Sequence, residues 1–256
     1  MSIAFLDTDF IRKTRDIIYC NCSLLDKTLE LNHDFYVSEK VLNELPKKDY
    51  NDIIRLITMQ KIKLCKISDC VNMLYKSFGD LAFNIFLNDL LKIINNMFGE
   101  NKFYITYFQR LEVYAFGGTT TIKFAEEFEN VLKIIPTGNN MGEICTILET
   151  IEFIRCKEEH VYSFLSDDNN ARACATNVSE DINTYSCHSL FILLKEKGLP
   201  QTEAKEYAKK WMELRNNQTV KVIYKGSSKG LSVMAFIKSI YECDYKIKRN
   251  GLPELC

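Results

Sequence analysis

The chain has 256 residues, 46% of them hydrophobic and 26% charged, a balance that supplies a core and excludes general disorder. Its formal net charge of −1 excludes a protein that coats nucleic acid by bulk positive charge. Any nucleic-acid binding has to come from a local basic patch, from metal ions or from a partner chain. A carboxylate-lined metal site stays compatible, because it lowers the net charge itself.

In chain order, Ile3 to Leu6 is a short apolar run that predicts a buried strand ending at Asp7. Asp7-Thr8-Asp9 offers cap chemistry for a helix over Phe10 to Tyr19. Ser23 opens a helical stretch toward Leu31, and Asp34 to Val37 predicts a second strand. Ser38 caps a helix through Val41, Leu42 and Leu45, which Pro46 bends or ends. Asp52 to Gln60 is amphipathic, and Lys61 to Ile67 alternates as a strand with one wet face.

From about Asp69 to Pro136 the pattern is helical, punctuated at Gly99-Glu100-Asn101 and at Gly117-Gly118. Its many Phe and Tyr residues predict packing of a helical subdomain; a base-stacking surface for single-stranded RNA is the sharper alternative. Met141 to Cys156 is a helix with Glu143 in its first turn. Val161 to Leu165 is a strand running into Ser166-Asp167-Asp168, followed by a short helix over 169–175 and a brief strand over Ile182 to Tyr185. His188 to Lys197 is a helix closed by Gly198, and Thr202 caps another to Leu214. Val220 to Tyr224 resembles an edge strand, with Gly226 to Gly230 a loop.

No basic stretch leads an apolar run near Met1, and no run of about 18 apolar residues occurs, so neither a secretory signal nor a membrane span is expected. The ten cysteines are then expected as free thiols in a reducing cytoplasm. Cys20 with Cys22, and Cys65 with Cys70, are the pairs that could be offered as zinc ligands, against a spacing that is not the tight one.

Alternating strands and helices favour an α/β fold with a mostly parallel sheet covered on both faces. Ligands of such sheets bind outside the carboxyl ends of the strands, where Asp7 and Asp167 are expected. Asp7, Glu44, Glu143 and Asp167 each have an ordinary reading as a cap or a solvated helix residue. Together they form a set that would repel itself without a cation and that suits a hard divalent ion. No glycine-rich loop follows the first strand, which argues against a Rossmann-type nucleotide binder.

Read in order, five segments resemble the PIN-domain nucleases: Phe5 to Ile11, Val37 to Leu45, Met141 to Leu148, Phe164 to Arg172, and His188 to Gly198. The resemblance implies a three-layer PIN-like domain over 1–216, with a largely helical insertion at 68–136 and an extension at 217–256. It implies that Asp7, Glu44, Glu143 and Asp167 hold Mg²⁺ or Mn²⁺, with Asp9 and Asp168 in second rank and Glu39 as the alternative to Glu44. The activity implied is phosphodiester hydrolysis, most often of RNA, and by analogy a toxin or defence effector. Arg12, Lys13, Arg15 and Arg172 are the expected phosphate contacts, with a solvated face or a structural ion pair as the plain alternative. His188 is the histidine near the expected site, as a cap, a packing residue or a participant. PIN-like proteins often dimerise, so a homo-oligomer is an expectation, and a protein partner or inhibitor another. Departures around Tyr185 to His188 leave the role of Ser186 open, and with the near-neutral charge they keep a second reading: a catalytically silent PIN-fold scaffold that binds a partner.

Overall fold

The computed structural model describes residues 2–99, 102–135, 140–157, 161–215 and 219–256. Its organising element is β1 (Ser2–Leu6), followed by α1 (Thr8–Asp16), a small hairpin of β2 (Ile18–Tyr19) and β3 (Cys22–Ser23), and α2 (Leu24–Thr28). Next come β4 (Asp34–Ser38), α3 (Glu39–Glu44), α4 (Lys47–Thr58) and β5 (Lys63–Cys65). Four helices follow, α5 (Ile67–Phe78), α6 (Ala82–Phe98), α7 (Lys102–Phe116) and α8 (Thr121–Ile134), and then the long α9 (Met141–Cys156). The sheet resumes with β6 (Val161–Leu165), α10 (Asn169–Val178) and β7 (Ile182–Tyr185), and α11 (Leu190–Glu196) and α12 (Gln201–Arg215) pack beside it. The chain closes with β8 (Thr219–Tyr224), β9 (Ser227–Ser232), α13 (Val233–Glu242), β10 (Tyr245–Ile247) and β11 (Pro253–Leu255).

The central sheet has five parallel strands in the order β5-β4-β1-β6-β7. Side chains alternate across it and both faces are dry, which is why its strands read as continuous apolar runs. Ile3 and Phe5 enter a core with Phe164, Ile182 and helices α5 to α10. Ala4 and Leu6 enter the other core, with Val37, Phe10 and helices α11 to α13. The protein is therefore α/β with helices on both faces of a parallel sheet. Helices α5 to α8 are continuous with the first core, where the rings of Phe83, Phe86, Phe108, Phe124 and Phe128 lie buried and in contact. The aromatic residues named here pack the interior; they are not laid out as a surface for stacking bases.

Several expected boundaries move, each for a local reason. The first helix stops at Asp16, because Cys20 (φ 49°) and Asn21 (φ 61°) make the tight hairpin turn between β2 and β3. The helix after Ser23 ends at Thr28, well short of Leu31, and the expected strand over 61–67 shrinks to Lys63–Cys65, with Ile67 already opening α5. His188 precedes its helix: Ser186 and Ser189 exchange hydrogen bonds in a turn, and α11 begins at Leu190. Thr202 lies inside α12 and does not cap it. The largest correction is at the end of the chain. Val220 to Tyr224 is no edge strand but an inner strand of a second, four-stranded sheet ordered β10-β11-β8-β9. Residues 226–230, expected as a loop, form a turn at Lys225 and Gly226 and then most of β9. Of the expected punctuation, Glu100, Asn101, Pro136 and the boundary at 216–217 lie outside the described residues.

Among the described residues, no helix is long and apolar enough to cross a membrane. All ten cysteines are free, and the Cys65 and Cys70 thiols lie 3.7 Å apart in the core.

Candidate functional site

The strand order reverses at β1, whose two neighbours leave in opposite directions along the sheet, β4 on one side and β6 on the other. Such a switch point opens a crevice at the carboxyl ends of the strands. Asp7 sits there: its N–H donates to Leu165 O at 3.0 Å, extending the β1–β6 ladder by one residue. Leaving the strand, it caps α1, with Thr8 N–H donating to Oδ1 at 2.7 Å. The Ser166 hydroxyl donates to Oδ2 at 2.8 Å and itself accepts from Asp168 N–H at 3.1 Å. The Asp7 carboxylate is thus fully buried and held from both sides.

Asp167 follows β6 on the same edge. Lys13 Nζ, one helix away, donates to its Oδ2 at 2.8 Å, and Cys187 N–H donates to its Oδ1 at 3.2 Å. Lys13 also reaches Asp9 at 3.3 Å. Burial opposes the Lys13 charge, but Asp167 and Asp9 hold its pKa above the ordinary value.

Glu44 and Glu143 arrive from the helical side. Glu44 is the last residue of α3, and its carboxylate accepts Gly142 N–H at 3.2 Å and the Thr8 hydroxyl at 3.4 Å. Those two bonds tie the end of α3 to the starts of α9 and α1. Glu143 stands in the first turn of α9, where the helix dipole favours a negative charge. Between the two candidates of the Ser38 helix, Glu44 belongs to this edge. Glu39 pairs with Lys66 at 3.5 Å and borders a separate small cavity beside Glu129 and Lys133.

Electrostatics ties the acids together. Burial, and then repulsion from Glu44, Asp168 and Asp9, pushes the Glu143 pKa up to about 7. Burial and the charge of Glu143 raise Asp7 well above the carboxylate range, against the bonds from Ser166 and Thr8. Burial raises Glu44 as well. Among the described residues, none of Asp7, Glu44 and Glu143 has an ion-pair partner. Burial disfavours the charged forms of these acids, repulsion adds to it for Asp7 and Glu143, and among the described residues no cation in ion-pair contact offsets them. Four carboxylates also match the oxygen donors that Mg²⁺ and Mn²⁺ take. In the present arrangement no three His, Cys, Asp or Glu groups of the described residues stand together at ligating distance. The donor chemistry therefore suits a hard divalent ion, while the side chains would have to close around it.

The chain matches no family model, no curated protein and no solved structure.

The remaining expected residues take distinct places. Asp9 pairs with Lys13 and, at 3.9 Å, with Arg12 on the exposed flank of α1. Asp168 caps α10 through Asn170 N–H and Ala171 N–H. The Arg15 guanidinium is engaged by Asp49 and Asp52 of α4. Arg172 is buried and donates to Ser166 O, Asn250 O and Asn169 Oδ1. His188 packs its ring on Trp211, 4.9 Å between centroids, and burial lowers its pKa. Ser166 had no sequence signal beyond preceding Asp167, although it holds Asp7 in place. A cavity of about 690 Å³ opens at the opposite edge of the sheet, near Asp34 and Lys63 at the starts of β4 and β5, with none of these carboxylates in its lining.

Proposed function

We propose that the protein is a metal-dependent nuclease of PIN-like type that hydrolyses phosphodiester bonds, with RNA as the substrate the resemblance implies. The observation that carries this reading is the placement of Asp7 and Asp167 after the carboxyl ends of the neighbouring strands β1 and β6, with Glu44 and Glu143 on helices that reach the same edge. Asp7, Glu143 and Glu44 would hold the ion, with Asp167 joining when Lys13 swings away. A bound Mg²⁺ or Mn²⁺ would supply Lewis-acid stabilisation of the charge that develops when water attacks a phosphodiester. The chain's own part is positional. Ser166 and Thr8 fix the Asp7 carboxylate, Gly142 and Thr8 fix Glu44, and the first turn of α9 carries Glu143 to the same edge. Arg12, on the exposed flank of α1, and a released Lys13 would meet the strand's phosphates.

The test is cleavage of labelled single-stranded RNA, structured RNA and DNA in EDTA, Mg²⁺ and Mn²⁺, beside Asp7→Asn and Asp167→Asn. The nuclease reading expects cleavage that needs both the metal and the carboxylates. Activity that survives both substitutions would overturn the site assignment.

One observation favours the alternative, a PIN-fold scaffold without catalysis: Lys13 Nζ already neutralises Asp167 at 2.8 Å. On that reading Mn²⁺ gives no thermal stabilisation, and RNA stays intact under every metal.

A further inference from the structure

Arg172 is a buried cation with no ion-pair partner among the described residues, although Asp167, Asp168 and Asp7 act on it from farther off. Its guanidinium, on a residue only 3% exposed, meets three neutral oxygens: Ser166 O at 2.6 Å, Asn250 O at 3.1 Å and Asn169 Oδ1. A guanidinium carries five N–H donors, so two remain unspent. Among the described residues no carboxylate lies within ion-pair distance of it, and the nearby Asp167 is engaged by Lys13. Burial still outweighs the pull of those carboxylates and lowers the Arg172 pKa, and an anion in direct contact would offset that cost.

Beside it the fold leaves a space for one. A cavity of about 180 Å³ lies where the C-terminal sheet meets the carboxyl edge of the central sheet, lined by Asp167, Asn169, Arg172 and His188 on one side and by Thr219 and Lys221 on the other. At roughly 30 Å³ for each water in the liquid, it takes a handful of waters or one small polar group. Lys221 sits on the exposed face of β8, between the buried Val220 and Val222, and has no ion-pair partner among the described residues. The segment 219–256 carries seven Lys and Arg against three Asp and Glu, a local excess of +4 in a chain of net −1.

The two walls are fixed to each other. Arg249 O accepts Thr184 N–H at 2.8 Å and the Thr184 hydroxyl at 2.6 Å, which fastens the C-terminal segment to β7. Gly251 (φ +79°) lies directly over Arg172, where a Cβ would stand 2.9 Å from Cδ and Nε. Only glycine allows both that conformation and that approach.

We infer that this cavity is a phosphate subsite, with Arg172 and Lys221 as its cations and the C-terminal sheet as its outer wall. It builds on the nuclease reading, since it places a phosphate group next to Asp167, but its own measurement needs no cleavage. The phosphate can be borne by a nucleic-acid strand or be free.

The experiment uses the full chain in EDTA. Binding of a short labelled single-stranded RNA is followed by fluorescence anisotropy across salt concentrations. Inorganic phosphate is titrated separately, with the His188 imidazole resonance as the reporter. Lys221→Glu is expected to weaken RNA binding about tenfold and to lower the salt slope by about one counterion, while Lys238→Glu, the same charge change on α13, leaves both near wild type. A His188 response to phosphate alone, without RNA binding, assigns the subsite to free phosphate. The inference is overturned if neither probe binds, or if the Lys221 and Lys238 variants behave alike toward the probe that does. RNA binding that depends on Lys221 with no cleavage under any metal would sink the nuclease reading and leave the subsite standing. Metal-dependent cleavage indifferent to Lys221 would do the reverse.

Discussion

Ser166 and Asp7, 159 residues apart, share one hydrogen bond of 2.8 Å across the β1–β6 junction. The bond supports a carboxylate that burial and Glu143 both push toward its protonated form. Ser166→Ala removes the donor without adding bulk. It should cost about 1.5–3 kcal/mol, the range for a hydrogen bond to a charged group. Much of that should return as the pH falls and Asp7, whose pKa burial holds above the ordinary value, takes up its proton. Urea unfolding at pH 5 and pH 8 measures both numbers. An equal loss at the two pH values would mean that the hydroxyl serves packing rather than the Asp7 charge.

The acids also set the pH dependence of the metal-free protein. Glu143 binds its proton up to about pH 7 in the folded state, against an ordinary value of 4.5, and Asp7 is shifted the same way. A folded state that holds more protons than the unfolded chain loses stability as pH rises. Stability should therefore fall between about pH 4.5 and 7, by on the order of 2 kcal/mol once the partial exposure of Glu143 is allowed for. In EDTA, Glu143→Gln should flatten that decline, as read from melting temperature against pH. A decline of the same size in the variant would place its cause elsewhere.

Much of the fold was legible because the sheet is buried on both faces. The runs at Ile3, Phe35 and Phe164 have no wet side, and Asp7 and Asp167 mark where two of them end. The second sheet was not legible. β9 reads Ser-Ser-Lys-Gly-Leu-Ser, nearly all exposed, and gains its strand conformation from pairing with β8 rather than from any apolar alternation. Likewise Glu44 and Glu39 differ in sequence only by position on one short helix. What separates them is the arrival of Gly142 beside Glu44, a contact across 98 residues. The engagement of Arg15 by Asp49 and Asp52, and of Asp167 by Lys13, depends equally on helices meeting in space.

Gly142 offers a clean separation of site from scaffold. A Cβ there would overlap Glu44 Oε2 and lie 3.2 Å from its Cδ and 3.3 Å from the Thr8 hydroxyl. The obstacle is the end of a flexible side chain, so Gly142→Ala should fold, with helix propensity returning up to about 1 kcal/mol. The Glu44 carboxylate would leave the Gly142 N–H and swing outward. Mn²⁺ affinity, read from the thermal shift, should drop about tenfold on the nuclease reading, the effect of misplacing one ligand or its support. Unchanged Mn²⁺ affinity in a stably folded variant would remove Glu44 from the ion's ligands.

Lys13 decides between the two functional readings. Its Nζ sits 2.8 Å from Asp167 and 3.3 Å from Asp9, the place where a divalent ion would compete for the same oxygens. Lys13→Met keeps the length of the stem and deletes the charge. On the nuclease reading it frees Asp167 and makes the edge more acidic, so the Mn²⁺ midpoint should move about five- to tenfold lower, the worth of one partly screened charge at close range. The metal-free variant should be less stable, since Asp167 loses its partner while Glu143 and Asp7 keep repelling. On the scaffold reading Lys13 is a permanent substitute for the ion, and the variant is destabilised with no Mn²⁺ response at any concentration. Isothermal titration with Mn²⁺ beside thermal melts in EDTA separates the two outcomes. A loss of Mn²⁺ affinity on removing Lys13 would count against both, because it would make the lysine part of the binding site rather than a competitor for it.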